Sequence, residues 1–253
     1  MFAIDFPPVS HVIEWPEIFF EGTPFAVNKV VILMWISLVI SFAFLYLASR
    51  NFKPVPTGLQ NVGESFYGFI QEGIILQTMG PEGLRFTPYL GTMFIYIFTT
   101  NIWGIIPVAQ MPVNARIALP AFLAILLWFV FVIVGFVKQG PRYLTNTIFP
   151  PGVPWPLYIL VTPIEFVSTF IVRPLSIAVR LFANMLAGHL LLVSFAVICA
   201  ALWALKPTAI ILAGSFPLLV GLTAFEVLVC FLQAFIFTVL AAVYIGSSMH
   251  AEH

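Results

Sequence analysis

The stretch "AVRLFANMLAGH", residues 178–189, lies inside an apolar run that reaches from Leu157 to Leu205. Arg180 stands near the middle of that run, and a guanidinium does not give up its proton in a protein. A charge at the bilayer centre costs at least about 2.5–3.5 kcal/mol on insertion scales, and such residues usually mark ion pathways. What the charge does there decides how the chain is read.

Working outward, the composition sets the class. Of 253 residues 61% are hydrophobic and 8% charged, against about 25% charged in soluble domains. One soluble core cannot hide that much apolar surface, so the chain is expected to be an all-α integral membrane protein. Ten basic and ten acidic groups leave a formal net charge of zero, which gives no footing for nucleic acid. Cys199 and Cys230 sit in apolar segments without ligand-like neighbours and read as small buried hydrophobes. The opening "MFAIDFPPVSHVIEWPE" has no basic n-region and is not Arg-rich, so it reads as neither a signal nor a transit peptide. Residues 1–24 are expected to form an exposed arm, and 25–253 a single transmembrane domain.

Spanning the hydrocarbon takes about 20 apolar residues. Spans are expected at about 25–48, 86–106, 117–137, 157–205 and 208–247, about five in all. Residues 57–78 differ. Leu59, Val62, Phe66, Phe69, Ile70 and Ile74 recur at helical spacing, with Gln60, Asn61, Glu64, Gln71 and Glu72 largely elsewhere. That pattern predicts an amphipathic helix at the interface or along other helices. "FPPGVPWP", 149–156, reads as a rigid loop.

The last two segments are too long to stand upright. Residues 157–205 would extend roughly 73 Å as a helix and 208–247 roughly 60 Å, across about 30 Å of hydrocarbon. Long tilted helices are expected, the first kinked at Pro174. The short joint "LKPT" makes them an antiparallel hairpin. Arg50, Lys53, Arg85, Lys138 and Arg142 fall on one side and Lys29, Arg116 and Lys206 on the other. That bias puts the N-terminus outside and the C-terminus in the cytoplasm.

Within the hairpin the polar residues are Glu165, Arg173, Arg180, Asn184, His189, Glu226 and Gln233. At 100° per residue Arg173, Arg180 and Asn184 share a face, as do Glu226 and Gln233. His189 lies about half a turn around from Arg180 and roughly 13 Å along. The arithmetic predicts two distinct polar sites.

"LSIAVRLFANMLAGH", 175–189, followed by "FEVLVCFLQAFIFTVLAAVYI", 225–245, closely resembles the a subunit of F-type ATP synthases. "TNIWGIIPV" at 100–108 and "PIEFVSTFIVRPLS" at 163–176 match that family's pattern too. The resemblance runs from about residue 54 to the C-terminus. It implies a non-catalytic stator of a rotary proton motor, partnered by a ring of c subunits, b-type peripheral stalk subunits and the rest of the synthase. The implied location is an energy-coupling membrane, a bacterial plasma membrane rather than an organelle's inner membrane.

Roles follow from the resemblance residue by residue, each beside a plainer reading. Arg180 would be the gate. His189, Glu226 and Asn101 would line the outer half-channel; a buried structural pair and a packing cap are the plainer alternatives. Glu165, Ser168 and Arg173 would belong to the inner half-channel, against a helix-start charge for Glu165 and a snorkelling cation for Arg173. Asn184, Gln233 and Tyr244 would be supporting polar groups, with interhelical hydrogen bonding as the simpler role of the two amides. His11, His250 and His253 read as solvated terminal residues.

Other classes fit less well. A secondary transporter would want an inverted repeat, and a haem-linked subunit several intramembrane histidines. No nucleotide or zinc motif stands in the chain, so no cofactor is expected and ATP chemistry is assigned to other subunits. Proton coupling is favoured over sodium because no extra oxygen-rich site stands beside Arg180.

Overall fold

The computed structural model describes residues 17–19, 22, 26–50, 54, 57–106, 109, 111–149, 154–204 and 209–249. Most of the expected arm, the "LKPT" joint and His11, His250 and His253 lie outside the described residues. The architecture is all-α apart from one small antiparallel pair, β1 (Glu17–Phe19) with β2 (Val27–Asn28).

The helices are α1 (Lys29–Arg50), α2 (Leu59–Ile70), α3 (Thr87–Ile102), α4 (Ala118–Gln139), α5 (Arg142–Ile148), α6 (Tyr158–Val167), α7 (Arg173–Ala204) and α8 (Ala209–Met249). Among the described residues four helical stretches are long and apolar enough to cross a membrane: Lys29–Arg50, Ala118–Gln139, Tyr158–Ala200 and Gly214–Met249. The fifth apolar segment is shorter than its hydrophobic run. α3 has 16 residues, preceded by a 3-10 stretch at Pro81–Phe86 and ended by turns at Trp103–Ile105. Gly104 and Pro107 explain the early stop, since neither sustains a helix. α3 is largely enclosed by protein, with Leu90, Met93, Phe94 and Ile97 buried.

Residues 59–78 are helical throughout, with a π-helical turn at Gln71–Ile75. The buried side differs from the one the spacing marks. Ile70, Ile74 and Ile75 are fully enclosed, but Leu59 and Val62 are exposed and Gln60 is buried, its amide donating to Glu64 Oε1 at 2.7 Å. α2 lies along α1 and α3, the π-helical turn after it lies along α8, and the segment does not cross as a span of its own. Phe66 packs against Phe94, and Phe69 against Phe94, Phe231 and Phe235, in tilted and edge-to-face contacts, which fixes where α2 sits on the hairpin.

The long run is interrupted before Pro174, not at it. α6 passes into a π-helical segment, Ser168–Val172, and then into α7. The wide turn falls where Pro174, lacking an N–H, leaves a carbonyl one turn back without its donor. α7 and α8 pack extensively on each other, α8 on α3 and α4, and α7 on α4. The core runs between them, through Leu127, Phe131, Leu181, Met185, Phe237 and Ile245.

Three contacts tie one end of the bundle. Gln139 Nε2 donates to Ser248 O at 3.0 Å, Arg85 contacts Met249 Sδ at 3.2 Å, and Lys138 pairs with Glu82 at 3.0 Å. The start of α3 and the ends of α4 and α8 therefore share a side. The start of α7 joins them, because Arg173 lies over the Tyr244 ring, 5.3 Å from its centre. The end of α3 and the starts of α4 and α8 define the opposite side.

Candidate functional site

Three contacts define how α7 meets α8. Arg173 meets Tyr244, Asn184 Nδ2 donates to Gln233 Oε1 at 2.8 Å, and Gly188 meets Glu226. As the number rises on α7 it falls on α8, so the helices are antiparallel. The middle contact seats an amide pair in the seam, where Gln233 is buried.

The third contact is unusually close. A Cβ built on Gly188 would overlap both carboxylate oxygens of Glu226. The carboxylate thus occupies the space that any other residue at 188 would fill. Glu226 is 7% exposed, and His189, next to Gly188, is 4% exposed. Burying an acid among apolar helices demands polar company, and the glycine lets the carboxylate approach the α7 backbone.

Arg180 has the opposite surroundings. It is one helical turn from Asn184 on α7, yet it is exposed on the flank of the hairpin. Among the described residues its guanidinium makes no ion pair or hydrogen bond with this chain. The same two helices carry exposed apolar side chains, Leu175 and Val179 on α7 and Phe225, Leu228 and Leu232 on α8. A permanent cation sits bare on a lateral apolar wall, while His189 is buried. The two residues do lie on different faces.

A second polar group sits at the side where α3 ends. Asn114, in the 3-10 turn Val113–Ala115, donates through Nδ2 to Thr100 Oγ1 at 2.8 Å and to Asn101 Oδ1 at 2.7 Å. All three residues are buried, and Asn101 Nδ2 and Asn114 Oδ1 find no partner. A buried donor and acceptor left open in one cluster have the polarity that an enclosed water needs. The turn packs against α7, on the side to which His189 and Glu226 also belong.

A third group runs from α6 into α7. Thr162 and Glu165 on α6, Thr169 in the π-helical segment and Arg173 at the start of α7 recur at spacings of three, four and four, and none of the four is fully exposed. Thr169 is fully buried, and its hydroxyl and that of Thr162 have no hydrogen-bond partner. Glu165 and Ser168 meet only through the backbone, the Ser168 N–H reaching the Glu165 carbonyl. This group lies on the side where α7 begins, opposite the Asn101 cluster. Among the described residues no three His, Cys, Asp or Glu side chains gather as a metal site would require.

A family model described as ATP synthase A chain matches residues 31–246. The chain belongs to that family. It is 39% identical to an ATP synthase subunit a of Rhodococcus erythropolis over 94% of this chain and 88% of the relative. Against ATP synthase subunit a of a Parafrankia species it is 41% identical, covering 97% and 84%, and against that of Frankia alni 38%, covering 97% and 87%. Membership makes it a multi-pass bacterial membrane component of the synthase, engaged in ATP synthesis and proton transport without being its catalyst.

Gly188, Thr100 and Thr169 lie within the matching motifs and Asn114 and Thr162 outside them, and the sequence reading picks out none of the five as a site residue. Gly188 carried a signal, since "AGH" places the smallest residue beside a buried histidine. Asn114 carried none, because its partners are 13 and 14 residues away across a turn that no periodicity reveals.

Proposed function

We propose that the chain is the proton-translocating stator of a rotary ATP synthase, with Arg180 as the electrostatic gate between two aqueous half-channels. The outer half-channel runs through Asn101, Asn114, His189 and Glu226. The inner one runs through Glu165, Thr169 and Arg173, with Ser168 at the wide turn and Tyr244 as the seat of the Arg173 cation. Asn184 and Gln233 hold the seam level with the gate. The partners are a c-subunit ring against the α7–α8 wall and b-type stalk subunits elsewhere, in a bacterial plasma membrane with the N-terminus outside.

The observation that carries this reading is the bare guanidinium of Arg180, exposed on an apolar wall between polar groups at opposite ends of the bundle. Its partner is a carboxylate on another protein that comes and goes. A unit-charge pair at about 4 Å is worth roughly 4 kcal/mol at an effective dielectric near 20. That lowers the proton affinity of a passing acid about a thousandfold. The acid therefore sheds its proton to the inner channel and is reprotonated from the outer one. Arginine keeps its own proton throughout, so it never passes one between the channels; a desolvated lysine would. The membrane potential supplies about 2.3 kcal/mol per proton per 100 mV.

Arg180→Ala in the assembled synthase tests this. ATP-driven acidification of membrane vesicles is expected to vanish while the complex still assembles. Pumping at the normal rate would refute the gate.

A further inference from the structure

A groove of about 620 Å³ opens between α1, α3 and α4, away from the hairpin. Its walls are Met34 and Trp35 on one side and Phe122 and Leu126 on the other, with Met93 in the floor. Trp35 is 58% exposed and Phe122 61%, so the groove opens sideways, toward lipid. Its one cation, Arg116, lies with Asn28 at the end where α1 and α4 begin; Thr92 and Tyr96 are the polar residues along α3, and no acidic residue lines it.

The dimensions identify the occupant. The lined part of α1 runs from Val30 to Leu38 and that of α4 from Ala118 to Leu126, each about 12 Å at 1.5 Å per residue. With the rim added, this is close to half of the ~30 Å hydrocarbon. A transmembrane helix from a partner would need a groove running the full thickness. One leaflet of lipid needs half. The apolar walls suit acyl chain, and the rim cation sits at the depth of a headgroup.

We propose that this groove is a binding site for an anionic phospholipid of the leaflet on the Arg116 side, its chain between α1 and α4 and its phosphate on Arg116. The guanidinium has five donors in a planar fork that matches phosphate, so contacts within the chain leave others for the lipid. Lys29, next to Asn28, adds a second cation near the rim. A lipid bound there would wedge α1 against the α3–α4 pair and fix the turn that carries Asn114, since Val113 and Arg116 both line the groove.

The test uses the whole synthase in vesicles of phosphatidylcholine with a minor share of phosphatidylglycerol bearing a photoreactive acyl chain. Labelling in the wild-type complex is expected on peptides containing Trp35 and Phe122. Arg116→Gln should weaken it about five-fold, the worth of one basic residue near an anionic membrane surface. Arg116→Lys should retain most of it. Thr92→Phe, which fills the floor without touching the rim, should abolish it. Equal labelling in wild type, Arg116→Gln and Thr92→Phe would overturn the proposal. So would labelling by a photoreactive phosphatidylcholine that matches phosphatidylglycerol, or a cross-link from Trp35→Cys to a transmembrane segment of another subunit.

Discussion

The carboxylate of Glu226 rests directly against the α-carbon of Gly188, one residue before His189. A methyl group at position 188 would claim the space that this carboxylate fills.

That contact makes Gly188→Ala informative. The group in the way is the far end of a flexible side chain, so the carboxylate, not the helix, should move. Assembly of the complex is expected to be nearly normal, with ATP-driven proton pumping strongly reduced. Glu226→Asp in the same background withdraws the carboxylate by one methylene and should restore part of the flux. Normal pumping by Gly188→Ala would show that the position of this carboxylate is unimportant.

The seam hydrogen bond between Asn184 and Gln233 should be measurable as a coupling. Hydrogen bonds between membrane helices average about 0.6 kcal/mol in double-mutant cycles. Unfolding of Asn184→Leu, Gln233→Leu and the double variant in detergent is expected to give a coupling of that order. A coupling indistinguishable from zero would mean that the bond does not hold the seam.

Arg173 and Tyr244 give a separate test, because their contact is between a cation and a ring face. Such contacts are worth about 0.5–1 kcal/mol at exposed sites. Tyr244→Phe keeps the ring and is expected to pump like the wild type, whereas Tyr244→Leu should pump less. Equal loss in both variants would assign the effect to the tyrosine hydroxyl.

Asn114→Leu should be costly in two ways. It removes the donor shared by Thr100 and Asn101 and leaves their oxygens buried, a penalty of about 1–3 kcal/mol. It also takes one polar wall from the proposed outer path. Thermal stability and proton uptake by energised vesicles should both fall. Reduced stability with unchanged uptake would leave Asn114 a structural residue alone.

Much of the architecture was legible because membrane helices are written in long apolar runs. The two terminal helices, too long to stand upright, appear at α7 and α8 with a wide turn before Pro174 instead of a kink at it. Local periodicity did less well on α2, where Gln60 is buried and Leu59 exposed. A surface in a membrane protein is apolar wherever lipid lies, so apolar spacing does not tell core from lipid face. Helical arithmetic separated Arg180 from His189 correctly, since both lie on one continuous helix. The amide cluster of Asn101 with Asn114 and the fit of Glu226 on Gly188 depend on how helices meet, and a single chain's pattern does not encode those distances.

In the proposed mechanism Arg180 answers to an acid on a neighbouring protein. Disulfide trapping tests it most directly, using Arg180→Cys with a cysteine placed beside the buried carboxylate of the c subunit. A cross-linked a–c product is expected under mild oxidant, separating again into its two subunits under reductant. No cross-link to the ring, in an assembled complex where Val179→Cys or Leu228→Cys does form one, would contradict it.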